Sequence, residues 1–152
     1  MPANTSPIFS LTPNVSSVKI TTTAALVRSD GSAANAIGTD QFLAWTSGAN
    51  GSYLQRVRFN TVASAAAVTS VATTLRVYLS SVSSGTPTAS NTSLLAEISV
   101  PAISSSHSTN ATNYYEIPFN MAIPTGRYIL VSQHVAQTTN QSWLATVFGG
   151  DY

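Results

Sequence analysis

The clearest pattern in the sequence is an alternation of apolar and polar residues over two segments, residues 51–63 and 70–80. Side chains of a strand point alternately to its two sides, so each segment predicts a strand with an apolar face and an arginine-bearing face. The apolar faces carry Tyr53, Val57, Phe59, Leu75, Val77 and Leu79. The opposite faces carry Leu54, Arg56, Arg58, Arg76 and Tyr78. We expect the three arginines, half the cations of the chain, to share one sheet surface.

The same two-residue period, interrupted by turn residues, predicts about eight strands along the chain. They are residues 17–27, 41–47, 51–63, 70–80, 93–100, 114–119, 127–134 and 142–148. Residues 41–47 are apolar on both faces, which favours a central strand, and residues 48–51 predict a hairpin into the next strand. Pro118 favours an edge position for its strand. The alanines of residues 63–72 leave a short helical turn as an alternative there.

This spacing is typical of a single-domain, antiparallel β-sandwich. We expect the jelly-roll type rather than the immunoglobulin type, because the chain has no cysteine. The fold class predicted is therefore all-β, with the sandwich over residues 17–152.

Residues 1–16 predict an extended N-terminal arm, because three prolines remove backbone donors and favour extended backbone. The alternative is a frayed terminus. The arm would lie over the domain or over a neighbour. Its predicted contact residues are Pro2, Pro7, Ile8, Phe9, Leu11 and Pro13.

Composition supports strands and a neutral surface. Charged residues make up 7% of the chain, whereas soluble domains usually carry about 25%. Polarity comes instead from 23 serines and 20 threonines. The net charge of +1 provides no strong field for nucleic acid or an anionic membrane, so neither is predicted as a partner. Such a surface suits either coverage in an assembly or simple solvation by hydroxyl and amide groups.

The sequence shows no cysteine, no apolar run of membrane-spanning length and no signal peptide. The chain has no cysteine, which excludes disulfides and thiolate metal sites. No run of about 18 apolar residues occurs. The first residues lack the cationic start and the apolar core of a signal peptide.

No catalytic site or cofactor is predicted. His107 lies in a serine-rich loop, where a serine would be near it by chance, and His134 ends a strand and has no acid close in sequence. Glu97 and Glu116 lie on successive predicted strands, where two carboxylates would suit a glycosidase. We expect them instead to be solvated or paired with arginine, Glu97 with Arg76 or Arg58. The predicted interface comprises Arg56, Arg58, Arg76, Tyr78 and Glu97.

Two binding alternatives remain at this stage. Asp30 and Asp40 lie in one loop, where they would suit a calcium ion, although no metal site is predicted overall. Aromatic residues would suit a sugar-binding platform, although most aromatics in strands belong to the core. The candidates are Trp45, Tyr53, Tyr78, Tyr114 and Trp143.

Three stretches of the sequence resemble small virion proteins of tailed bacteriophages. They are SPIFSLTP at residues 6–13, GANGSYLQRVRFN at residues 48–60 and GGDY at residues 149–152. The resemblance implies a capsid decoration, or cement, protein: a β-sandwich, often trimeric, that sits on the outer shell. It implies the major capsid protein as the partner and no catalytic residues. Assembly in the reducing cytoplasm of a host agrees with the lack of cysteine.

A receptor- or glycan-binding module of a phage tail or fibre is the alternative function. Its site would be formed by aromatic residues near Tyr114 and Trp143.

Overall fold

A computed structural model describes residues 10–21, 36–64, 68–106 and 114–152, and all regular elements in these ranges are β-strands. The strands are β1 (Thr12–Ile20), β2 (Phe42–Thr46), β3 (Ser52–Ala63), β4 (Val68–Thr69), β5 (Thr73–Ser80), β6 (Thr92–Val100), β7 (Ser104–Ser105), β8 (Tyr114–Ile123), β9 (Tyr128–Gln133) and β10 (Gln141–Asp151). The eight longer strands correspond to the eight predicted from the alternation, with shifted ends.

The strands form two four-stranded sheets. Sheet I has the order β1-β10-β3-β8 and sheet II the order β2-β9-β5-β6, while β4 and β7 form a separate two-stranded ladder. All of these pairings are antiparallel.

The topology is that of a jelly roll. The first strand pairs with the last, the second with the second last, and so on inwards to the β5–β6 pair. The chain is therefore one long hairpin that is rolled up, which brings β10 beside β3 and β9 beside β5. The predicted all-β jelly-roll sandwich is confirmed.

The core lies between the inward faces of the two sheets. Val57 and Phe59 of sheet I and Leu75 and Val77 of sheet II are all fully buried. Trp143 of β10 is also fully buried and meets the ring of Tyr115 edge-on, with 5.9 Å between ring centroids. These residues form one continuous apolar cluster, so the two sheets share a single core.

A β-bulge in β3 changes the predicted faces of this strand. Phe148 of β10 is opposite Arg56, but the next residue, Gly149, is opposite Leu54, so Gln55 is an extra residue. Leu54 is consequently buried on the same side as Val57 and Phe59. The prediction that Tyr53 shares their face is wrong, because a strict two-residue period does not continue through a bulge.

Strand β2 differs from the prediction in position and connection. It lies at an edge of sheet II and pairs only with β9 among the described strands. A bulge in β2 turns both Ala44 and Trp45 into the core, which explains its apolar run without a central position. Residues 48–51 do not form a hairpin, because they carry the chain from sheet II to sheet I.

The first strand begins earlier than predicted. β1 starts at Thr12 rather than at residue 17, so residues 12–16 of the predicted arm belong to sheet I. Residues 1–9 and 22–35 lie outside the described residues. The division into an arm and a domain therefore stays a prediction.

Two smaller predictions concern edges and helices. Strand β8 is an edge of sheet I, as Pro118 predicts. The described part of residues 63–72 contains the end of β3 and the two residues of β4, with no helical turn.

Candidate interaction surface

The outer face of sheet I is the surface on which arginine and aromatic side chains come together. We call it the arginine face. The ladder registers place its outward residues in three cross-strand rows, each reading from β1 through β10 and β3 to β8. The rows are Val15–Phe148–Arg56–Pro118, Ser17–Thr146–Arg58–Glu116 and Lys19–Leu144–Asn60–Tyr114.

The guanidinium groups of both arginines lie over aromatic rings. The guanidinium carbon of Arg56 is 4.5 Å from the ring centroid of Phe148. That of Arg58 is 4.5 Å from the centroid of Tyr114 and 5.4 Å from that of Phe148. Each such contact at an exposed site contributes about 0.5–1 kcal/mol. These contacts keep the two charged groups close to the rings of the face.

Glu116 joins the two arginines. Its Oε2 accepts a hydrogen bond from Arg58 Nε at 2.9 Å and lies 3.3 Å from Arg56 Nε. Arg56 also donates to the side chain of Gln55 at 2.8 Å. Each charged side chain of this trio is about a third exposed, so the ion pairs add only about 0–1 kcal/mol of stability. One carboxylate therefore fixes the position of two guanidinium groups.

The arginine face is both positive and partly apolar. Lys19, Arg56 and Arg58 face outward against the single carboxylate of Glu116. Val15 is 59% exposed and Tyr114 is 58% exposed. Arginine and aromatic residues are enriched at protein–protein interfaces, while lysine and glutamate are depleted. The two arginines and their aromatic neighbours are of the kind enriched at interfaces, whereas Lys19 and Glu116 are of the kind depleted there, and Glu116 is paired with the arginines.

The other predicted interface residues lie on the opposite side of the molecule. Arg76 and Tyr78 belong to β5 and Glu97 to β6, and both strands are in sheet II. The expectation that Arg56, Arg58 and Arg76 share one sheet surface is therefore wrong. Consecutive long strands of a jelly roll often belong to different sheets, which the alternation within each strand cannot reveal.

Arg76 is held in a local polar network. Its Nε donates to Glu97 Oε2 at 3.0 Å, as the sequence predicts for this pair. Its Nη1 lies 3.1 Å from Nδ1 of His134. Arg76 is only 8% exposed, so it offers a partner little surface.

Tyr78 is fully buried and is not available to a partner in this conformation. It packs with Leu130, Ile37 and Leu94 in a small apolar cluster on the outer side of sheet II. Burial raises the pKa of Tyr78, opposed by its hydrogen bond with Ser132 and by the nearby charge of Arg76. This residue stabilises sheet II and is removed from the predicted interface.

The structure describes some of the residues that were considered for catalysis or metal binding. Glu97 and Glu116 lie on different sheets, and each pairs with arginine, as we expected. Asp40 is buried, whereas Asp30 and His107 lie outside the described residues. Among the residues that the structure describes, no group of three or more histidine or acidic side chains is placed to hold a metal ion.

Most aromatic candidates for a sugar platform are buried. Trp45, Tyr78 and Trp143 are at most 2% exposed. Tyr114 is exposed on the arginine face, and Tyr53 is half-buried, with its hydroxyl donating to Asn120 at 3.1 Å. An aromatic platform near Tyr114 therefore lacks Trp143.

Two predicted arm residues lie in the described part of the chain. Leu11 is 82% exposed, and its backbone N–H donates to the carbonyl of Asp151 at 2.8 Å. Pro13 is exposed within β1. The other predicted arm contacts, Pro2, Pro7, Ile8 and Phe9, lie outside the described residues.

Sequence reasoning did not assign Phe148, Glu116 or Val15 to the interface. The alternation of β10 could have identified Phe148. Trp143, Ala145 and Val147 form the buried face of this strand, so Phe148, an odd number of residues away from them, points outward. Glu116 and Val15 required the strand order, which the sequence alone does not give.

Comparison with known proteins leaves the family open. No family model and no curated protein matches this chain. A solved structure of infectious bursal disease virus, Gx strain, matches with a TM-score of 0.33 and 15% identity over 98% of this chain. The match covers 35% of that chain, so this protein spans about a third of its length. The similarity is too distant to carry a conclusion about function.

The described residues include no helix long and apolar enough to cross a membrane.

Proposed function

We propose that this protein is a structural component of a virus particle, a decoration or cement protein of a tailed-phage capsid. Its role is to bind the outer surface of the shell and tie neighbouring subunits together. The proposal includes the major capsid protein as partner, a homotrimeric state and no enzymatic activity. Assembly takes place in the host cytoplasm.

The observation that carries the proposal is the arginine face. It presents two guanidinium groups beside two aromatic rings, together with the exposed side chain of Val15, on a four-stranded sheet. A cement protein needs a broad contact of this kind, with a few arginine and aromatic side chains that supply most of the binding energy. The sequence resemblance to phage virion proteins points to the same role.

The experiment compares occupancy of purified shells by two variants. In the double variant Arg56→Ala, Arg58→Ala the stacked guanidinium groups are lost while the core of sheet I is unchanged. We expect shell binding at least about 30-fold weaker, because truncation of even one hot-spot arginine costs about 2 kcal/mol or more. The matched control is Arg127→Ala, which removes an exposed arginine from the turn before β9 and is expected to bind normally.

Two different outcomes would contradict the arginine face as the contact surface and the decoration role itself. Normal shell occupancy by the double variant would contradict the use of the arginine face. Absence of the protein from the heads of purified particles, tested with labelled antibody, would contradict the decoration role itself.

A glycan-binding module of a tail or fibre is the second candidate. Tyr114 favours it, because this ring is exposed next to the guanidinium of Arg58. Binding of the isolated protein to a glycan array, lost in Tyr114→Ala, together with antibody labelling of tails, would establish this function in place of the first.

A further inference from the structure

The two sheets of the sandwich have four edge strands, and three of them are interrupted. Strand β2 is short and has a register shift around Ala44. Strand β6 has a bulge at Leu95, because Val77 and Tyr78 are opposite Ala96 and Leu94. Bulges at an edge discourage pairing with another chain.

Strand β8 is interrupted in two further ways. Pro118 removes a backbone donor in its middle, and Asn120 has a φ of 50°, next to a register shift against β3. Proline on an edge strand is another common protection against added strands.

Strand β1 is the exception among these four edges. It runs for nine residues and pairs with β10 in one unbroken register. Its other edge has no strand partner among the residues that the structure describes. Only Pro13 and Lys19, near its two ends, resemble edge protection, and the stretch from Asn14 to Val18 carries no proline, charge or bulge.

Exposed apolar side chains gather at the same edge. Four large hydrophobic residues are exposed in the described part of the chain, and three of them flank this edge. They are Leu11, Val15 and Leu43, which are 82%, 59% and 36% exposed. A groove of about 300 Å³ lies between β1 and β2, lined on one side by Asn14 and Ser16 and on the other by residues 43–46. A strand added to β1 would cover both the groove and Val15.

We propose that β1 pairs in antiparallel orientation with β1 of a second copy of this chain. The pairing joins two copies of sheet I into one continuous eight-stranded sheet, through a contact in which each copy presents the same surface. It satisfies both open edges at once. The net charge of +1 gives the chain little electrostatic protection against such pairing.

The position of Lys19 determines the orientation. In an antiparallel pair, Lys19 lies opposite the beginning of the partner copy's strand, and the two ammonium groups are at opposite ends of the ladder. A parallel pair would place them side by side, where like charges destabilise a sheet. Charge and strand geometry thus favour the same two-fold arrangement.

This contact does not rest on the proposed function. A two-fold contact joins two copies and cannot close a trimer. Within the homotrimer proposed above, it would connect copies of different trimers.

The test uses engineered cysteines, for which this cysteine-free chain offers a clean background. Val15→Cys and Ser17→Cys both lie on the outer side of β1, and the two variants are oxidised singly and as a mixture. Directly opposite residues of paired strands have Cα atoms about 4.5–5.5 Å apart, which a disulfide spans. The three reactions test the pairings in which residue 15 lies opposite residue 15, residue 17 opposite residue 17, or residue 15 opposite residue 17 of the second copy.

We expect a cross-linked pair on a non-reducing gel in at least one reaction, forming about ten-fold faster or more than in a control, since the opposed residues are held within disulfide distance. The control is Ser99→Cys, an exposed serine on the interrupted edge strand β6. Adding Val15→Lys to Ser17→Cys should reduce the rate to that of the control, because lysine on an edge opposes strand pairing.

Circular dichroism of the Val15→Lys variant checks that the fold is unchanged, which we expect because this side chain is exposed. Cross-linking of the β1 cysteines no faster than that of Ser99→Cys, in all three reactions, would overturn the proposal. Since shells are absent from this assay, its failure leaves the decoration role to its own test.

Discussion

Gly149 is a position in sheet I that has no room for a side chain. It follows the bulge between β10 and β3, and a Cβ at this position would collide with the carbonyl oxygen of Tyr53. The ring of Trp45 from sheet II approaches the same point at 3.2 Å. Neither neighbour can move freely, because one is backbone and the other is a buried ring.

The substitution Gly149→Ala should therefore lower the free energy of unfolding by about 1–3 kcal/mol, the usual cost of overpacking a well-packed site. Urea denaturation measures the change. Gly85→Ala is the comparison, because Gly85 has open space around it and a φ of 79°, so only backbone strain of about 1 kcal/mol is expected there. A smaller loss at Gly149 than at Gly85 would contradict the steric explanation.

Individual ion pairs were partly predictable. Glu97 and Arg76 occupy adjacent strands of one hairpin, so their pairing follows from nearby sequence. The pairing of Glu116 with Arg58 joins residues 58 positions apart and depends on β8 returning to lie beside β3. The sequence supplied the charges of this site but not the strand order that unites them.

At the scale of the element, the alternation predicted the strands well and their irregularities poorly. Strands β3 and β5 were found because several consecutive residues keep one period. The bulges at Gln55 and Ala44 each insert one extra residue, which shifts the alternation by one position. As a result, Tyr53 was assigned to the wrong face of β3, and the apolar run of β2 was taken as the sign of a central strand. A bulge depends on the opposite strand, which is distant in sequence.

The start of β1 sets the limits for testing the arm. A deletion of residues 2–9 leaves Leu11 and all of β1 in place, whereas a deletion that reached Thr12 would also shorten sheet I. We expect the 2–9 deletion to weaken shell binding while the midpoint of thermal unfolding stays within a few degrees of the full-length protein, since it removes no described core residue. Full shell occupancy by the truncated protein would refute the proposed role of the arm.

At the scale of the whole molecule, the two sheets are expected to unfold together. They share one apolar core, to which sheet I contributes Phe59 and Trp143 and sheet II contributes Trp45 and Leu75. Urea denaturation followed by tryptophan fluorescence and by far-ultraviolet circular dichroism should give coincident transitions. Separate midpoints for the two signals would show that one sheet survives without the other.

The rolled hairpin also has a consequence for how this chain reaches its final form. Strand β10 comes after all the other described strands in the sequence, yet it lies between β1 and β3 in sheet I. Until it emerges from the ribosome, neither of those strands has its central neighbour, and the pairing of Ile20 with Trp143 must close a very long loop. Topologies dominated by such distant contacts fold slowly and expose unpaired strands for longer, so synthesis is the stage at which this protein is most vulnerable to aggregation.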